Sequence, residues 1–236
     1  MIIERRSADR GRVHAGWLDS RHTFSFGHYY DPAWMGFGVL RVINEDRVDP
    51  GAGFPAHGHA NMEILSYVVE GALSHQDSSG GGGVVGPGEL QWMGAGHGVE
   101  HSEFNASATE PVHFLQIWMQ PDRVNASPAY GQRAPTPADA TGRWHLLASP
   151  DGADGSLAIR QQARLSEARL EPGQAIAADL LDSRRYWLQV VRGEATVEVA
   201  DTVRVMEAGD ALGLAGEAGA MRLSGNATVL LFDLPA

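Results

Sequence analysis

The stretch Phe54–Gly71, FPAHGHANMEILSYVVEG, holds His57 and His59 one residue apart, just ahead of a run rich in Val, Ile and Tyr. A second polar pair with the same spacing, His101 and Glu103, lies in GAGHGVEHSEF, Gly94–Phe104. Residues two apart share a face of an extended chain. Each pair therefore aims two donors in one direction if its segment is a strand, and an antiparallel barrel can bring the two pairs together inside its mouth. Three neutral imidazoles and a carboxylate suit a divalent ion such as Fe, Ni, Cu or Zn. Four such donors on an octahedral ion leave two positions for water, dioxygen or a chelating substrate. The plainer alternative is solvated loop histidines in a His- and Gly-rich region.

Two further residues stand close by. Glu63 follows His59 by four positions. It is a candidate ligand in place of Glu103, or a group that steadies an imidazole N–H. His97, between Gly96 and Gly98, reads as part of the loop approaching the site. The remaining histidines, including His75 and His113, show no ligand-spaced partner.

The elements that must carry these pairs read as strands. Gly38–Asn44, Ile64–Glu70, Val112–Met119, Arg185–Val191 and Thr228–Leu234 are rich in Val, Ile, Leu, Tyr and Trp, and they are separated by Gly and Pro. Long helical periodicity is absent, and Ile159–Leu170 fits either helix or strand. Pro121–Thr141 carries four prolines and reads as a connector near the middle of the chain. The tetraglycine Gly80–Gly83 reads as a hairpin connection, because no lysine and no helix follow to make a phosphate loop.

The two halves echo one another. SYVVEGALSH (Ser66–His75) matches LQVVRGEATV (Leu188–Val197), with Gly71 against Gly193 at an offset of 122. PGEL (Pro87–Leu90) matches AGDA (Ala208–Ala211), with Gly88 against Gly209 at an offset of 121. Two similar offsets in the same order suggest a duplicated domain. The offset of 122 carries His57 and His59 to Asp179 and Leu181, and carries His101 and Glu103 to Leu223 and Gly225. The second copy is thus expected to lack the metal site.

Composition removes several function classes. The 236 residues contain no cysteine, which excludes disulfides, thiolate ligands and cysteine nucleophiles. All 18 basic residues are arginine, which excludes Schiff-base chemistry on lysine. A formal net charge of −11 disfavours nonspecific binding to nucleic acid or anionic membranes. No apolar run reaches the length of a membrane span, and the charged start is a poor signal peptide, so a cytoplasmic location is expected.

These residues also carry a family likeness. Gly51–Gly71 resembles the first cupin motif, with its last gap one residue longer than the usual pattern. Pro87–Phe104 resembles the second motif as it occurs in pirins, and RHTFSFGHYYDP (Arg21–Pro32) resembles the pirin N-terminal signature. The likeness covers nearly the whole chain and is strongest from Arg21 to Trp118.

The resemblance implies an all-β bicupin, with two antiparallel β-barrel (jelly-roll) domains packed face to face. Residues 1–133 would form the metal-binding domain, and residues 134–236 a cupin domain without metal ligands. It implies His57, His59, His101 and Glu103 as ligands of one divalent ion, with Glu63 nearby but not bound. Fe(2+) is favoured, and Ni, Mn, Co, Cu and Zn are chemically able to replace it. The implied activity is a dioxygenase that cleaves a flavonol such as quercetin at the 2,3 bond and releases carbon monoxide, with Glu103 as catalytic base. The alternative is a non-enzymatic metal- or redox-sensing adaptor that binds a regulatory protein. The expected partners are a small aromatic or enolic substrate and O2, with room for a protein partner; a monomer is expected.

Overall fold

The computed structural model describes residues 1–236 and is built of antiparallel strands with two short 3-10 turns. No helix is long and apolar enough to cross a membrane. Contacts divide the chain into two compact units. One comprises Gly11–Pro135 with Leu157–Gln161; the other comprises Met1–Arg10, Thr136–Ser156 and Gln162–Ala236. The chain therefore changes unit after Arg10 as well as near Thr136. The reason is the strand Ile2–Arg5, which pairs along Ala211–Ala215.

The first unit has two sheets. Seven strands run in the order Ala129–Arg133, Leu90–Gly94, Glu63–Glu70, Val112–Met119, Leu40–Val48, Leu18–His22 and Gly11–His14. Four strands form the second sheet in the order Gly53–His59, Val99–Asn105, Leu73–Asp77 and Gly82–Val85. Val48, Val68, Val112 and Phe114 of the larger sheet pack with Leu73 and Val85 of the smaller one in a buried cluster. Central position explains why Glu63–Glu70 reads as an apolar run without alternation: all of it except Glu70 is buried.

The second unit is one extended antiparallel system. Ala211–Ala215, Arg184–Val199, Gly219–Pro235, Arg164–Leu170 and Trp144–Ser149 lie side by side, with Ala175–Leu180 and Thr202–Glu207 pairing on the long strands. Its core includes Leu188, Val190, Met206, Leu212 and Val229. The undecided segment 159–170 is thus strand from Arg164 onward. The expected connector Pro121–Thr141 is corrected in one part, because Ala129–Arg133 adds an edge strand beside Leu90–Gly94.

The internal repeat is visible in the backbone. Gly71 and Gly193 have φ of 74° and 71°, and Gly88 and Gly209 have 76° and 89°. The Gly88 N–H donates to Val68 O at 2.8 Å, and the Gly209 N–H donates to Val190 O at 2.9 Å. A side chain at Gly193 would put its Cβ 2.0 Å from Asn226 O, and one at Gly71 would come 2.5 Å from Pro111 O. Positive φ and close backbone approach together require glycine at both places. The outcomes differ locally: Gly71 separates two strands, whereas the strand Arg184–Val199 continues through Gly193 past a register shift.

Candidate metal centre

The smaller sheet brings the two polar pairs together. His57 lies directly across from His101 in the pairing of Gly53–His59 with Val99–Asn105, and a bulge between His101 and Glu103 sets Glu103 opposite Phe54. The ligand nitrogens of His57, His59 and His101 all lie within 4.8 Å of one another. His57 Nε2 and His101 Nε2 are 3.0 Å apart. His57 Nδ1 donates to Pro55 O at 2.8 Å, which leaves the Nε2 lone pair free to face the cluster. His59 Nε2 is buried and has no partner.

Electrostatics keeps two of these rings neutral. Burial, with the neighbouring His57, pushes His59 down to about 4. Burial, with His57, His59 and His75, pushes His101 down to about 3. Neutral imidazoles whose lone pairs converge, one of them buried without a partner, fit a divalent cation and give protons poor competition for it.

Glu103 is held from the larger sheet. Gln116 Nε2 donates to Glu103 Oε2 at 2.7 Å. Ser66 Oγ lies 3.1 Å from Glu103 Oε1 and 2.7 Å from Gln116 Oε1, so its single proton serves one of them. Glu103 also groups with His75 and His101 within 4.8 Å. Burial, with nearby Asp46, raises Glu103 to about 7 against the opposing effect of Ser66 and Gln116.

A cross-strand row supplies these supports. His22, Asn44, Gln116, Ser66 and Gln91 are directly opposite one another on successive strands, and all are buried. Sequence reading missed this row because its members are scattered over five strands. It also missed His75, which touches His101 through Nδ1–Nδ1 at 3.4 Å, Gln91 through Nδ1 at 3.2 Å and Asp77 through Nε2 at 3.2 Å. The spacing of two between His75 and Asp77 was the available signal.

The other candidates go elsewhere. Glu63 accepts from Trp92 Nε1 at 2.8 Å and from the Arg160 N–H at 2.9 Å, so its carboxylate is already engaged. His97 is exposed, and its backbone N–H donates to Ala126 O at 2.8 Å.

Beside the histidines lies a cavity of about 330 Å³. Its wall includes His57, His59 and Glu103, the rings of Phe26, Phe54 and Trp118, and the polar side chains of Asn44, Asp46 and Gln116. Trp118 meets Phe26 and His59 edge-on, with ring centroids 5.2 and 4.8 Å apart. Such a space takes a flat, largely apolar molecule and orients it by a few polar groups.

The second unit has apolar side chains at the corresponding places. An offset of 122 carries His75 and Asp77 to Val197 and Val199, whose cross-strand partners are Leu223 and Met221 where the first unit has Glu103 and His101. Met221 in turn faces Ala178, where His101 faces His57. Ladder register thus moves the counterparts of His57 and His101 to Ala178 and Met221, and that of Glu103 to Leu223. Met221 and Leu223 belong to the buried core, with Ala178 packed against it.

Separate family models match the two halves of the chain. Residues 4–119 match the family model described as Pirin, and residues 146–234 match that of a quercetinase C-terminal cupin domain. A quercetin 2,3-dioxygenase of Escherichia coli K12 is 43% identical over 236 residues, covering 100% of this chain and 99% of the relative. The crystal structure of the bacterial pirin YhhW of Escherichia coli in complex with nickel(II) has a TM-score of 0.92 at 43% identity, covering 100% of this chain and 99% of that one. A quercetin 2,3-dioxygenase structure from Acinetobacter baumannii has a TM-score of 0.76 at 18% identity and shares the fold, covering 99% of this chain and 79% of that one.

Proposed function

The chain belongs to the pirin family of the cupin superfamily, and on that premise we propose that it is a metal-dependent dioxygenase that opens a flavonol such as quercetin between C2 and C3. The observation that carries the reading is the convergence of His57, His59 and His101 beside an aromatic-walled cavity that also exposes Glu103. His57, His59, His101 and Glu103 hold one divalent ion in this reading, with Fe(2+) favoured and Ni, Mn, Co, Cu or Zn able to replace it. The sheets that carry them close as a jelly-roll barrel. Metal binding belongs to the N-terminal domain, residues 1–133 apart from the strand-bearing Met1–Arg10, and residues 134–236 apart from Leu157–Gln161 form the cupin domain without ligands, in keeping with Ala178, Met221 and Leu223 in or against its core.

When bound, the ion acidifies a coordinated hydroxyl and polarises the oxygen beside it. The protein does the rest. Phe26, Phe54 and Trp118 pack on the flat rings and exclude water. Glu103 takes the 3-hydroxyl proton, and its position between Ser66 and Gln116 fixes the direction of transfer. The neutral rings of His59 and His101 keep the site from carrying excess positive charge of its own. Flavonol and O2 are consumed, and a depside and carbon monoxide leave.

The test is elemental analysis of the purified protein, followed by quercetin in air with oxygen and carbon monoxide monitored together. One equivalent of a redox-capable metal with matched oxygen loss and carbon monoxide release is expected. A fully metal-loaded protein that leaves quercetin intact would remove the flavonol reading.

A further inference from the structure

Two polar residues on the cavity wall lie outside the ligand set. Asn44 and Asp46 are two apart on the strand Leu40–Val48 and share a face. Both line the cavity, and they are 3% and 4% exposed. Asn44 Oδ1 is a buried acceptor with no partner. Asp46 accepts from Ser20 Oγ, and the groups that act on its charge are Ser20 and Glu45, with no cation among them. A buried acceptor on a cavity wall takes its donor from what fills the cavity.

We propose that Asn44 and Asp46 form a second polar subsite of this cavity, which takes a phenolic hydroxyl of the substrate remote from the group that faces the histidines. The subsite rests on the reading that an aromatic substrate occupies the cavity. The unpartnered Asn44 Oδ1 requires a donor, so the ligand must supply O–H or N–H, and a hydroxyl can also accept when the Asp46 carboxyl is protonated. Phe26, Phe54 and Trp118 require that the donor be carried on a flat ring, and a phenol meets both demands. Gln116 marks the boundary between the two subsites: its side-chain amide donates to Glu103, while its residue lies across from Asn44. The preferred substrates are therefore polyhydroxylated rings rather than flavonols bearing the chelating hydroxyl and carbonyl alone.

The test is a binding titration of the metal-loaded protein under argon, read by tryptophan fluorescence, with quercetin and 3-hydroxyflavone. The two ligands share the chelating pair and differ in ring hydroxyls. Water solvates quercetin better, so an all-apolar wall would favour 3-hydroxyflavone. Native protein is expected to bind quercetin about tenfold more tightly, the scale of one well-made hydrogen bond. Asn44→Leu and Asp46→Leu should each shrink that ratio, with metal content and circular dichroism unchanged; Asn44→Ala and Asp46→Ala are the fallbacks if the leucine variants do not fold. Equal binding by native protein, preference for 3-hydroxyflavone, an unchanged ratio in folded variants, or no binding of either ligand would overturn the subsite. Selective binding under argon without cleavage in air would instead overturn the dioxygenase reading and leave the subsite standing.

Discussion

His75 approaches His101 from the side opposite His57: the two Nδ1 atoms are 3.4 Å apart, while His101 Nε2 faces His57 Nε2 at 3.0 Å. A single tautomer chain satisfies these contacts. The His75 Nε2–H donates to Asp77, the one lone pair of His75 Nδ1 faces both the Gln91 Nε2 amide and the His101 Nδ1–H, and His101 Nε2 keeps its lone pair. Asp77 is itself held, its Oδ1 accepting from the Ser79 N–H at 2.8 Å, the Ser79 hydroxyl at 2.7 Å and the Gly81 N–H at 3.0 Å. Burial alone would raise Asp77, but these donors and His75 outweigh it and lower its pKa.

His75→Leu should leave the ligand set intact yet weaken metal affinity by about 10- to 100-fold, as loss of a partner behind a ligating imidazole does. Competition with a chelator of known affinity measures this. Unchanged affinity would show that His101 needs no support from His75.

Glu103→Gln keeps the size of the side chain and removes the base. Turnover of quercetin should fall by at least about 100-fold, while anaerobic flavonol binding stays within a few-fold of native. An active, metal-loaded Glu103→Gln protein would remove Glu103 from its role as proton acceptor.

Removing the metal should destabilise the protein, because an ion that binds only the folded state adds stability in proportion to the logarithm of its free concentration over Kd. A chelator should lower the Tm of native protein and leave that of a His57→Ala/His59→Ala double variant unmoved. Equal shifts in both would place the bound ion elsewhere.

Asp46 gives a pH prediction with a definite sign. Burial raises it from 3.8 to about 7, against a Ser20 hydrogen bond and with Glu45 adding to the rise. A folded-state pKa above the unfolded value means that the folded protein binds the extra proton. The stability contributed is whole below about 3.8 and is lost as pH rises through about 7. Asp46→Asn, which cannot ionise, should therefore gain on native protein between pH 4 and 7 and hold its advantage above that. Denaturant titration of the metal-free pair at several pH values checks this, and a difference independent of pH would contradict it.

Gly193→Ala tests the repeat. Its φ of 71° and the approach of Asn226 O require a backbone shift for any Cβ. The cost should exceed about 2 kcal/mol, whereas alanine at Gly80, whose surroundings are open, should cost only its positive φ. Chemical denaturation of the two variants decides it.

Local chemistry was readable in the chain. The spacing of two in His57/His59 and in His101/Glu103 placed each pair on one strand face, since side-chain direction in a strand follows residue parity alone. The left-handed glycines at 71, 88, 193 and 209 were legible as a repeat because only glycine tolerates those turns cheaply. Tertiary structure decided what parity cannot, namely which strands become neighbours and in what register. Register put His75 behind His101, Gln116 and Ser66 on Glu103, and the Asn44–Asp46 face on the wall of the cavity that His57 and His59 line. It also turned Glu63 towards Trp92 and Arg160, a choice that spacing left open because the partner Arg160 is 97 residues away.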